Sequence, residues 1–218
     1  REFGMMVRMP YIVNTSRGEI IDSKSLSMAY QQRRIMEMVL DVYEDEPCPE
    51  AGIVQNALIA TPHIAGHAIE AKRRGAVMVA RQLHEILRVP FKQDADNLLY
   101  AGLDAPKQKE IYFTSTGNHA LDADSAVHNL LMSMHNMVAV SEQFKRGMSE
   151  PDDRSRMAKF QGLRDTYQAR YNRREYASYK VNLDLNGSNL RLEVSKRLQS
   201  LGIRIVDAPE AHYIIASN

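Results

Sequence analysis

A chain of 218 residues with 44% hydrophobic and 25% charged side chains can bury one or two cores, which excludes the disordered and fibrous classes. Its 28 Lys and Arg nearly cancel its 27 Asp and Glu, which excludes the global basic field that draws nucleic acid or an anionic membrane surface. A single cysteine, Cys48, excludes an intrachain disulfide framework and a multi-cysteine metal site; with no apolar run near the roughly 18 residues of a membrane span and no signal-peptide core in REFGMMVRMP, the expectation is a soluble cytoplasmic protein without metal.

In chain order, the β-branched segment Tyr11 to Val13 predicts a strand, Asn14 to Gly18 a polar turn, and Asp22 or Ser23 the cap of a helix. Apolar runs from Ile35 to Leu40 and from Ala57 to Ala60 predict two more strands, ending at Asp41 and at Thr61-Pro62-His63. Short apolar strands alternating with helices specify a parallel sheet in an α/β layer architecture. Helical spacing then runs from Ala65 to Arg88, where Val89-Pro90 stops it. The aperiodic segment from Phe91 to Lys109 places a domain boundary near Asp94, giving residues 1–93 and 94–218.

Beyond that boundary EIYFTS predicts a strand, and Asp122 or Asp124 caps one helix carrying Val127, Leu130, Leu131, Met134, Met137, Val138 and Phe144, closed by Gly147. Phe160, Leu163, Tyr167 and Tyr171 predict another helix, SYKVNLDL a strand and Asn186-Gly187 a turn. A helix bearing Leu190, Val194 and Leu198 and the strand IRIV complete a small α/β domain.

Ligands of an open parallel sheet bind beyond the carboxyl ends of its strands. Arg17 follows the first strand, Asp41 and Glu46 the second, and His63 the third. The set suits oxidation of a 2-hydroxy acid. Arg17 offers a planar fork for a carboxylate or carbonyl oxygen. His63 can take the hydroxyl proton as hydride leaves the same carbon, and Glu46 on the other ring nitrogen would fix the tautomer. Asp41 is placed to accept from a nicotinamide carboxamide or ribose, with the main chain of Thr15 and Ser16 lining the pocket.

VNTSRGEIID, LDVYEDEP and ATPHIAG, in this order, resemble the successive signatures of the D-isomer-specific 2-hydroxyacid dehydrogenases. The resemblance implies the carboxy-terminal portion of a Rossmann-type parallel-sheet NAD-binding domain, NAD as cofactor, Arg17, Glu46 and His63 as catalytic residues, and Asp41 and Gly66 as cofactor contacts. The short spacing from Glu46 to His63, and FQGLRDTYQARYNRREYASYKV with LGIRIVDAP, are similar to a branch with a carboxy-terminal α/β dimerisation domain. That branch acts on a phosphorylated hydroxy acid in pyridoxal phosphate synthesis; the implied assembly is a homodimer. Where the branch has a substrate-contacting tyrosine, this chain has His67. Of the basic cluster Arg170, Arg173 and Arg174, Arg173 is the candidate to reach a substrate phosphate in a partner subunit.

Each residue taken alone has a plainer reading: a surface arginine at Arg17, a solvated acidic loop at Asp41 and Glu46, a backbone-satisfied imidazole at His63. The methionines 132, 134 and 137 read as core or subunit interface, and Cys48 carries no motif. The sequence holds no GxGxxG, so the expectation is a chain inactive by itself. The competing readings are a dehydrogenase of the phosphoglycerate, glycerate or lactate type, and a non-catalytic dimerisation fragment.

Overall fold

The computed structural model describes residues 2–88, 109–114, 122–171, 179–185 and 188–206. Two compact units interleave along the chain: residues 1–67 with 136–172, and 68–135 with 173–218. The boundary expected near Asp94, the Val89-Pro90 stop and the Asn186-Gly187 turn lie outside the described residues.

The first unit is built on three parallel strands, β1 (Tyr11–Asn14), β2 (Glu37–Leu40) and β3 (Ile59–Ala60), in the order β1-β2-β3. A 3-10 turn (Gly18–Ile20) and α1 (Ser23–Gln31) connect β1 to β2. Asp22 caps α1 as expected, its Oδ1 accepting from the Ser25 amide at 2.7 Å. Between β2 and β3 runs α2 (Ala51–Asn56), whose six residues are too few for a periodic signal. It takes up Ala57, expected as strand, as its C-cap. After β3 the chain passes into the second unit, whose α3 runs over Ile69–Leu87 and ends on Arg88 in the left-handed region, φ 54°.

The apolar spacing from Val127 to Phe144 predicts one continuous helix; the structure has two, α4 (Ala123–Met134) and α5 (Met137–Gly147). Asn136 makes the break, its Oδ1 accepting from the Ala139 amide at 2.9 Å and starting a new helix. Asp122 caps α4 in the same manner on Ser125. The break sends the apolar residues to different cores: Leu130 and Met134 to the second unit, Phe144 to the first.

Helix α5 covers the outer edge of β3, where two strand residues leave backbone groups in need of partners. The buried Ala60 amide donates to Ser141 Oγ at 2.9 Å, and Lys145 Nζ donates to the Ala57 carbonyl at 2.6 Å. Helix α6 (Asp153–Tyr171) supplies Phe160. Tyr43, Phe144 and Phe160 then form an aromatic triangle with centroids 5.6 to 6.5 Å apart, packed with Leu26, Ile35, Met38, Leu40 and Val54. Residues 137–171, which the consecutive division at Asp94 assigns to the second domain, thus complete the first core.

The second unit has a parallel sheet of β4 (Lys109–Thr114), β5 (Tyr179–Asp184) and β6 (Arg204–Val206), in that order. Helices α4 and α7 (Ser188–Ser200) bury Ala126, Leu130, Val194 and Leu198 against Val181, Leu183 and Ile203. Among the described residues no helix is long and apolar enough to cross a membrane.

Two substitutions test the closure of the first unit by α5 and α6. Ser141→Ala leaves a buried amide without its acceptor and should cost about 1–3 kcal/mol, while Phe160→Ala, by opening a cavity, should cost about 3–5 kcal/mol in urea unfolding. A first-unit transition unmoved by Phe160→Ala would contradict the shared core.

Candidate active site

Three loops leave the carboxyl ends of β1, β2 and β3 side by side, because the strands are parallel and adjacent. The first is shaped by Asn14, the buried last residue of β1. Its Nδ2 donates to the Arg17 carbonyl at 2.9 Å and its Oδ1 accepts from the Ser16 amide at 3.2 Å. Arg17 is extended and exposed, with Nη1 donating to the Ser16 carbonyl at 2.8 Å. Gly18 packs directly on the second loop: a Cβ there would lie 2.0 Å from the Tyr43 carbonyl carbon and oxygen and 2.5 Å from the Glu44 nitrogen. No other residue fits. Glu44 returns the contact, accepting from the Ser23 amide at 3.0 Å.

The second loop holds the third through Asp41, which is 3% exposed. Its Oδ1 accepts from Thr61 Oγ1 at 2.5 Å and from the Ile64 amide at 2.8 Å, and its Oδ2 from the Ala65 amide at 2.9 Å. The Asp41 carbonyl accepts from the His63 amide at 2.8 Å. Together these bonds hold His63 at φ 52°, a left-handed conformation that a non-glycine residue keeps only when its surroundings impose it. Burial raises the Asp41 pKa above the ordinary carboxylate value; the bonds from Thr61, Ile64 and Ala65 pull it down, and burial wins. Tyr43 is driven well above the usual phenol value by burial and then by the Asp41 and Glu46 charges, so its hydroxyl stays neutral and donates to the Leu40 carbonyl at 3.0 Å.

Glu46 joins the two loops at their working end. Its Oε1 accepts from the Tyr43 amide at 2.9 Å, and its Oε2 lies 2.7 Å from His63 Nδ1. Both side chains are about one-fifth exposed, 22% for Glu46 and 23% for His63, so the pair is shielded yet open on one side. With Nδ1 donating to Glu46, the lone pair of a neutral ring is left on Nε2, which is what a general base requires.

The structure thus brings Glu46 and His63 into contact and puts Arg17 on the adjacent loop. Thr15, Ser16 and Gly66 are exposed at the same rim; Gly66 has φ 74°, and a Cβ added there would meet nothing within 4 Å. Asp41, expected to face the cofactor, instead directs its oxygens to donors of its own chain because it is buried beneath the His63 loop. His67 is half-buried, with Nε2 3.5 Å from an Arg164 nitrogen. Arg173 lies outside the described residues. Asn14, Tyr43 and Thr61, which shape the loops, had no signal in the sequence beyond their places beside the motifs.

Residues 1–65 match the family described as D-isomer specific 2-hydroxyacid dehydrogenase, NAD binding domain, and every loop above falls in that stretch or at its end. Over this stretch the chain is similar to the NAD-binding domain of the D-isomer-specific 2-hydroxyacid dehydrogenases. Its similarity to individual relatives extends further. It is 31% identical over 84% of its length to an erythronate-4-phosphate dehydrogenase of Pseudoalteromonas atlantica and 31% identical over 89% to one of Marinobacter nauticus, matching 44% and 47% of those proteins. A protein of the same name from Shewanella sp. strain MR-4 is 43% identical over 41% of this chain and 24% of the relative. The chain spans about half the length, or less, of the curated relatives it matches. NAD is the cofactor of the matched dehydrogenase domain.

Gly18→Ala should cost the chain about 3 kcal/mol in urea unfolding, since backbone and not a flexible side chain opposes the methyl. A variant as stable as the parent would contradict the loop packing. Asp41 gives a pH test. A raised folded pKa means that the group's contribution to stability is present below its ordinary value and is lost as pH rises through the raised one. The stability of the parent relative to Asp41→Asn should therefore fall as pH rises from about 4 toward neutrality. Unfolding measured at stepped pH checks this, and a difference growing with pH would contradict it.

Proposed function

We propose that this chain is the carboxy-terminal part of an NAD-dependent 4-phosphoerythronate dehydrogenase acting in the cytoplasm in pyridoxal 5'-phosphate (vitamin B6) synthesis. The reaction converts 4-phospho-D-erythronate to (R)-3-hydroxy-2-oxo-4-phosphooxybutanoate. The observation that carries it is the 2.7 Å contact of His63 Nδ1 with Glu46 at the carboxyl end of a parallel sheet, in a chain similar to erythronate-4-phosphate dehydrogenases.

The geometry supports the following roles. Arg17, exposed on the first loop, holds the substrate carboxylate through its fork. His63 Nε2 takes the proton of the C2 hydroxyl while the C2 hydrogen departs with its electron pair, leaving a carbonyl. Glu46 keeps the ring oriented and stabilises the imidazolium that forms. The main chain at Thr15 and Ser16, with Gly66, would border the nicotinamide. NAD supplies the hydride acceptor. We assign the part of the second unit beyond residue 94, residues 94–135 and 173–218, a homodimerisation role.

Kinetics of the complete enzyme test the reading, with NADH formation followed on 4-phospho-D-erythronate, 3-phosphoglycerate, D-glycerate and D-lactate. The expected preference is for the phosphorylated four-carbon acid, and His63→Gln should lower kcat by about 10²- to 10⁴-fold. Preference for another acid would move the enzyme elsewhere in the family, and a His63→Gln variant with parental kcat would remove the proposed base.

A further inference from the structure

The catalytic loops leave the carboxyl ends of the first sheet. At its amino ends the same unit has an open cavity of about 400 Å³ that the arrangement above does not use. Met9, two residues before β1, and Ile35 and Met36, directly before β2, form its apolar wall. Asn56 at the end of α2 and Gln31 at the end of α1, with Arg33 just past it, supply the polar side. The size falls within the range of about 300–1,000 Å³ of small-molecule sites, and an apolar wall with a few convergent polar groups is their usual lining.

At Arg33 the backbone departs from what its residue type prefers. Helix α1 closes with the Arg34 amide donating to the Ala29 carbonyl at 2.8 Å and the Arg33 amide donating to the Tyr30 carbonyl at 3.0 Å. That double closure puts one residue in the left-handed region, a place glycine takes without steric cost. Here it is arginine, at φ 53°, and a non-glycine residue is strained there. What arginine adds over glycine is a side chain, and Arg33 lines the cavity. Among the described residues the ion pairs join His63 to Glu46, Arg156 to Asp153, and Arg197 to Asp124 and Glu193; none includes Arg33.

One guanidinium matches one negative charge, and its planar fork fits a carboxylate with two parallel bonds. The amides of Gln31 and Asn56 can each donate as well. The thioethers of Met9 and Met36 suit the ring of an aromatic body. We infer that this cavity binds a small aromatic monocarboxylate, held by Arg33 at the carboxylate and by Met9, Ile35 and Met36 at the ring. Arg33 occupies its strained position because the site requires its charge. The site lies at the end of the strands opposite His63 and is independent of the reaction proposed above.

Benzoate titrated into the full-length protein, with the methionine methyl signals followed by NMR, tests the site. Met9 and Met36 should show saturable shifts, and neutral benzamide should bind at least roughly tenfold more weakly. Arg33→Gly separates binding from folding, since glycine suits the left-handed position better than arginine does. Its urea midpoint should be no lower than the parent's, while its benzoate affinity should fall at least roughly tenfold; Arg33→Lys should lie between the two in affinity. Absent shifts, or benzamide or inorganic phosphate bound as tightly as benzoate, overturn the carboxylate site. Parental affinity in Arg33→Gly overturns the role of Arg33, and a lowered urea midpoint overturns the claim that the arginine is there for binding at the expense of the fold.

Discussion

The arrangement at the sheet rim depends on one buried carboxylate. Asp41 ends the central strand, and its two oxygens take a hydroxyl and two amides from the loop that carries His63. Burying an ionisable group opposes its charged form, which is why its pKa rises; three donors converging at 2.5 to 2.9 Å are what make the burial tolerable. They also hold the turn from Thr61 to Ala65 closed. The same loop of β2 receives Gly18 on its other side, where only a hydrogen fits against the Tyr43 backbone. The first and third loops are thus both positioned from the second.

The orientation of the His63 ring is linked to packing far along the chain. The Tyr43 amide holds Glu46, Glu46 holds the imidazole, and the Tyr43 ring rests on Phe144 and Phe160 of α5 and α6. Ser141 and Lys145 of α5 complete the edge of β3, from which the histidine loop departs. Helices more than 70 residues beyond the histidine in sequence are therefore part of the scaffold that orients it.

Strands β1 and β2 were legible because their apolar runs are flanked by polar turn and cap residues, and Asp22 and Asp122 announced two helices correctly. The break at Asn136 was not legible: apolar residues at 134, 137 and 138 keep helical spacing across it, so periodicity conceals a cap that only tertiary structure selects. The interleaving of the units follows from that break. Arg17, Glu46 and His63 stood out because three motifs occur in order; their spacing could not show that Glu46 reaches Nδ1. The inward turn of Asp41 was hidden for a different reason. An acidic residue at a strand end has the same sequence signature whether it faces a ligand or its own backbone.

The central claim is that the fold fixes His63 with its proton on Nδ1, directed at Glu46, and Nε2 open for the substrate hydroxyl. Nitrogen-15 NMR of the histidine side chains above the titration range of the ring tests this directly. The account predicts a protonated Nδ1 and an unprotonated Nε2 at His63, with that preference lost in Glu46→Gln. A ring averaging both tautomers in the parent protein, or protonated at Nε2, would contradict it.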